Sequence, residues 1–164
     1  MKLTYLLILL LITAGCSTDK LPEQRPEDLV ITYTEDGGMV DKSKTIYLSK
    51  DSSFVADRNF GAENKTYILT SKADMDNLYK VLKDNNFEHI DVREEEEVHD
   101  RGGSTVSVSF GGETITKSNS GLSFVEDSWQ IQYGEITSAI NKLAGDFLEK
   151  MKRNFNIEID TTLL

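Results

Sequence analysis

Both histidines of the chain and six carboxylates fall within twelve consecutive positions, His89-Ile90-Asp91-Val92-Arg93-Glu94-Glu95-Glu96-Glu97-Val98-His99-Asp100. These residue types could ligate a divalent cation, with Glu97, His99 and Asp100 as the ligands such a site would use. The spacing opposes it. On a strand Glu94 and Glu96 share a face with Val92 and Val98, while Glu95, Glu97 and His99 face the other way, so the ligands do not converge. No HExxH and no EF-hand loop is present. A charged edge strand, whose like charges oppose sheet-to-sheet aggregation, ranks first. A partner surface carried by Glu94, Glu95, Glu96 and Glu97 ranks second, and a divalent-cation site third. Neither histidine lies in a serine-hydrolase context such as GxSxG, and no glycine pair resembles a phosphate-binding loop. We therefore expect no cofactor, no resident metal and no enzymatic activity.

The elements that must position these residues belong to one domain, since 164 residues do not comfortably make two. Lys and Arg number 18 against 28 Asp and Glu, a net charge of −10, so the surface repels phosphate backbones and nucleic acid is not expected as a partner. One cysteine, Cys16, rules out an internal disulfide, a four-thiolate zinc site and a CxxC redox pair.

The place of that cysteine is informative. Lys2 is a short positive region, Tyr5 to Ile12 is unbroken apolar sequence, and Thr13-Ala14-Gly15 are small residues directly before Cys16. This is the grammar of an export signal, and the apolar run is short of the ~20 residues of a membrane-spanning helix. Ala14-Gly15-Cys16 resembles the bacterial lipoprotein lipobox, with Thr13 in place of the usual aliphatic residue. The resemblance implies cleavage before Cys16, diacylation of its thiol and a lipid anchor in the bacterial cell envelope. Ser17, in place of Asp, leaves delivery to the outer membrane open, and the leaflet is not legible. The expected divisions are a signal at 1–15, a lipidated flexible tether at 16–27 and a single domain at 28–164. Both prolines, Pro22 and Pro26, fall in the polar tether, which has no apolar periodicity.

From Asp28 the pattern has period two, with Leu29, Ile31 and Tyr33 on one side of a strand that ends at Asp36-Gly37-Gly38. Lys44 to Lys50 and Phe54 to Asp57 read as a hairpin, and Thr66 to Thr70 as a short strand. Ser71, three residues before Asp74, opens a helix whose inward face is Met75, Leu78, Tyr79 and Leu82. Asp91 to Val98 reads as a strand. Thr105 to Phe110 leads into Gly111-Gly112, and a two-residue loop there pairs Phe110 with Glu113 and sets Val108 opposite Ile115. Gly134 to Lys152 is an amphipathic helix with Ile136, Ile140, Leu143, Phe147 and Met151 inward. Phe124, Trp129, Ile131 and Tyr133 could make an aromatic ligand patch, but core packing is the expected fate. The expected fold is α+β: an antiparallel sheet of several strands and hairpins with two helices packed on one face.

This order of elements, with Gly37-Gly38 after the first strand, is similar to small protease-inhibitor domains of the emfourin type from about Val30 to Leu143. The acidic segment and the long Ser123 to Gln132 connection depart from that pattern. The resemblance implies binding to an extracytoplasmic metalloprotease and carries over only Gly37 and Gly38. The function expected from the whole sequence is a lipid-anchored, non-enzymatic envelope protein that binds a protein or small molecule. An emfourin-like inhibitor and a divalent-cation-binding accessory domain are the alternatives.

Overall fold

The structure, a computed structural model, describes residues 20–94 and 101–155. Its main sheet has six antiparallel strands: β1 (Val30–Gly37), β2 (Val40–Leu48), β3 (Ser53–Asn59), β4 (Ala62–Ile68), β6 (Gly103–Phe110) and β7 (Glu113–Asn119). Their spatial order is β4-β3-β2-β1-β6-β7. A second, two-stranded sheet pairs β5 (Val92–Glu94) with β8 (Ser123–Val125). Among the described residues two α-helices, α1 (Lys72–Asp84) and α2 (Gln130–Phe155), complete an α+β fold.

Alternation puts one set of side chains under the helices. Ile31 and Tyr33 of β1, Ile46 and Leu48 of β2, Val55 of β3, Val106 and Val108 of β6 and Ile115 of β7 are buried. Met75, Leu78 and Leu82 of α1 and Ile136, Ile140 and Ala144 of α2 join them in one core. The opposite side carries hydroxyls that pair across strands, Thr105 with Ser118, Ser107 with Thr116 and Ser109 with Thr114. Beyond them Tyr47 stacks on Phe54 at 5.0 Å, and Lys65 lies 3.6 Å from the Phe54 ring centre.

Local signals hold where a cap or turn makes them. Ser71 caps α1 in a reciprocal box: its hydroxyl accepts from the Asp74 amide, and the Asp74 carboxylate accepts from the Ser71 amide. That hydrogen bonding holds the Asp74 carboxyl below its ordinary pKa. In the β6–β7 hairpin Phe110 faces Glu113 and Val108 faces Ile115, as the Gly111-Gly112 turn predicts.

Several boundaries move. The final helix starts at Gln130, not Gly134, because the connection from Ser123 is built: β8 is followed by a 3-10 turn, Asp127–Trp129, that leads straight into α2. The strand expected at Thr66–Thr70 is β4, displaced to Ala62–Ile68 by a turn at Phe60-Gly61, both with positive φ. The strand at Asp91–Val98 is described only as β5, Val92–Glu94. It pairs with β8 in the small sheet, so its described part is not an edge of the main sheet. The rest of it lies outside the described residues.

The largest difference concerns the expected tether. Residues Lys20–Glu27 run along α1 as a strap. Leu21 is 3% exposed and belongs to the core. The Tyr79 hydroxyl donates to the Pro22 carbonyl, and Lys83 Nζ donates to the Leu21 carbonyl at 3.2 Å. Arg25 Nε lies 2.6 Å from Asp76 Oδ1, and Lys50 Nζ lies 2.7 Å from Glu27 Oε2. One leucine among polar residues carries no periodicity, and its burial depends on α1 side chains far along the chain.

Candidate functional site

Strand direction sends four turns to one end of the main sheet: β1–β2 at Gly37–Val40, β3–β4 at Asn59–Ala62, the entry to β6 at Arg101–Gly103, and the exit of β7 at Asn119–Ser123. They interlock. The Ser120 hydroxyl donates to Asp36 Oδ2, and the Gly38 amide donates to Asp36 Oδ1 at 3.2 Å. A Cβ on Gly102 would lie 2.6 Å from the Asp36 carbonyl oxygen and 2.9 Å from the Gly38 nitrogen. The Phe60 amide donates to the Asp41 carbonyl at 2.8 Å, and Arg58 Nε lies 3.4 Å from Asp41 Oδ1. Arg101 ties the fourth turn: it donates to Asn119 Oδ1 at 2.8 Å and stands 3.8 Å from the centre of the Phe124 ring.

Apolar side chains project from this end. Met39 is 78% exposed, Phe60 73%, Leu122 50% and Val40 45%. Single exposed apolar residues are ordinary, but these four stand on linked turns and form an apolar rim at one end of the sheet. Sequence reasoning singled out the Asp36 to Val40 turn that carries Met39 and Val40, through its glycines, and passed over Phe60 and Leu122. The available signal was one apolar residue beside a turn glycine in Gly38-Met39, Phe60-Gly61 and Gly121-Leu122.

Beneath the rim, on the helix side of the sheet, is an open depression of about 370 Å³ lined by Glu35, Asp36, Lys42, Lys44, Asp57, Arg58, Asn59 and neighbours. Its three cations and three carboxylates concentrate neither sign. Asn59 Oδ1 is buried with no donor among the described residues. Two of its lining residues are bonded toward the core: Lys44 Nζ donates to Asn141 Oδ1 of α2 at 3.2 Å, and Glu35 Oε2 accepts from the Tyr33 hydroxyl at 3.3 Å. Burial raises the Tyr33 pKa.

The described residues that flank the acidic segment, Glu94 and Arg101-Gly102, lie at the same end of the sheet as the Gly37-Gly38 turn. Gly37 and Gly38 form the rim's first turn, and the chain returns from the acidic segment through Arg101-Gly102, packed directly on that turn. Glu94 ends β5 opposite Ser123, beside the fourth turn. Glu95, Glu96, Glu97, His99 and Asp100 lie outside the described residues, as does Cys16. Among the described residues no group of three or more His, Cys, Asp or Glu is placed to hold a metal ion, and His89 is exposed on the turn after α1. Of the aromatic patch, Tyr133 is buried with its hydroxyl on the Ser104 carbonyl at 2.7 Å, while Trp129 is partly buried and donates to Asp91 Oδ2 at 3.3 Å. Ile131 is 74% exposed, so the four residues do not form one patch.

Among the described residues no helix is long and apolar enough to cross a membrane. No protein-family model matches the chain, and no curated protein matches it.

Proposed function

We propose that this chain is a lipid-anchored, non-enzymatic protein of the bacterial envelope, held by acyl chains on Cys16, that docks a protein partner through the rim at the Gly37-Gly38 end of its sheet. The observation that carries this reading is the exposure of Met39, Phe60 and Leu122 on turns that are tied to one another. Removing that apolar area from water is a driving force for association, and rigid turns lose little conformational entropy when they bind.

The test places a photoactivatable residue at Met39 or at Phe60 of the full chain in intact bacterial envelopes. A crosslinked partner is expected from both positions and not from Asn77, an exposed position on α1. Adducts from Asn77 alone, or none from the rim, would remove the rim from the proposal. Cys16→Ala should abolish fatty-acid labelling of the chain; undiminished label would refute the anchor.

The inhibitor reading draws on the same surface, because Gly37 and Gly38 build the rim's first turn. Gly38 has φ 64°, a conformation that a β-branched residue resists. Inhibition of an extracytoplasmic metalloprotease by the protein, lost in Gly38→Val with circular dichroism unchanged, would favour this narrower function. An uninhibited panel of such proteases would exclude it.

A further inference from the structure

The docked strap determines how far from a membrane the domain can stand. Leu21 is in the core, and from there to Glu27 the strap is tied to α1 and to Lys50. Resting on lipid attachment at Cys16, we propose that the α1 face bearing Lys72, Lys80 and Lys83 sits on the phospholipid headgroups of the membrane that holds the lipid.

Chain length supports this first. Four residue steps separate Cys16 from Lys20, a reach of about 14 Å at full extension, against roughly 35 Å if the chain were free through Glu27. A headgroup layer takes up about 5–7 Å of that reach, so little remains to lift the strap from the surface.

Charge supports it second. The strap and α1 enclose an open depression of about 550 Å³ whose charged lining is Arg25, Lys72, Lys80 and Lys83 with Glu23, Glu27 and Asp76. With Asp84, which pairs with Lys80, four cations and four carboxylates balance on this face in a chain whose net charge is −10. This face is therefore spared the repulsion that an anionic bilayer exerts on the rest of the surface. Lys72 pairs with Asp76 and Lys80 with Asp84, and that alternation also complements the ammonium and phosphate of zwitterionic headgroups.

Direction follows from β1. The strap feeds β1 at Val30, and the rim begins at its other end, Gly37, roughly 23 Å along the strand. The strap and the rim therefore lie at opposite ends of β1, which leaves Met39 and Phe60 at the end of the sheet remote from the anchored strap.

The test uses the full lipidated chain in vesicles of phosphatidylethanolamine and phosphatidylglycerol that contain a headgroup-attached quencher. Because acylation occupies the Cys16 thiol, Ala73→Cys on the exposed side of α1 or Met39→Cys on the rim takes a single fluorophore. Quenching at position 73 should exceed that at position 39 several-fold. Inserting a Gly-Ser stretch between Thr18 and Asp19, which lengthens the chain between Cys16 and the first described residue, should lower quenching at 73. Leu21→Asp, which undocks the strap, should do the same. Equal quenching at the two positions, stronger quenching at 39, or no response to the insertion in a fatty-acid-labelled chain would overturn the seating alone. An unlabelled parent chain would overturn the anchor and the seating together.

Discussion

Gly103, where β6 begins, packs so closely on Asn119 at the end of β7 that a Cβ on Gly103 would lie 2.1 Å from the Asn119 carbonyl oxygen. The obstruction is backbone and cannot rotate away. This contact closes the end of the sheet that bears the rim, because Asn119 also accepts from Arg101 and precedes the Ser120 hydroxyl bound to Asp36.

Gly103→Ala should therefore cost roughly 3 kcal/mol, the upper part of the range for overpacking. Gly112→Ala should cost about 1 kcal/mol, since a Cβ there meets open space but φ is +80°. Urea denaturation of both variants checks the ranking; equal losses would mean that the end of the sheet yields easily.

Leu21→Ala should lower unfolding stability by about 2–5 kcal/mol, the usual loss for a leucine truncated in a core. An unpacked tether would give no change. The denaturant midpoint of the parent and variant domains decides between them.

Ser71→Ala should cost about 1 kcal/mol at neutral pH by removing the α1 cap. The Asp74 pKa is depressed by its bonds to Ser71, so that share of the stability is present above the ordinary carboxylate range and is lost as the pH falls through the folded-state value. The gap between parent and variant should narrow in acid, measured as denaturant midpoints across the acidic range.

Burial pushes Tyr79 and Tyr133 up to about 12 from an ordinary value of 10.0. A raised folded-state pKa means that the stabilisation is complete below pH 10 and is lost as the pH climbs toward 12. Thermal melts should fall over that window. Tyr133→Phe should flatten the fall while losing the bond to the Ser104 carbonyl, and an unchanged slope would contradict the assignment.

Legibility in the sequence followed the distance over which each feature is built. The side of β1 that faces the core, the Ser71-Asp74 cap and the Phe110–Glu113 register were all readable, because period-two alternation, a capping pair and a two-residue turn act over a few residues. An acidic chain with a lone cysteine after small residues likewise carries its expectation of an envelope lipoprotein without any fold. Tertiary structure decided the rest. β1 pairs with β6 across more than sixty residues, and that pairing sets β2 and β6 on either side of it and gathers four turns into one rim. Neither Met39 nor Phe60 announces a site by itself; strand order makes them neighbours of one end. Leu21 looks like a solitary leucine in a polar linker, and only the core it joins, with Tyr79 and Lys83 of α1 holding the strap in place, gives it somewhere to be buried. Burial of a single side chain is a property of its distant neighbours, and local sequence does not encode where those neighbours will stand.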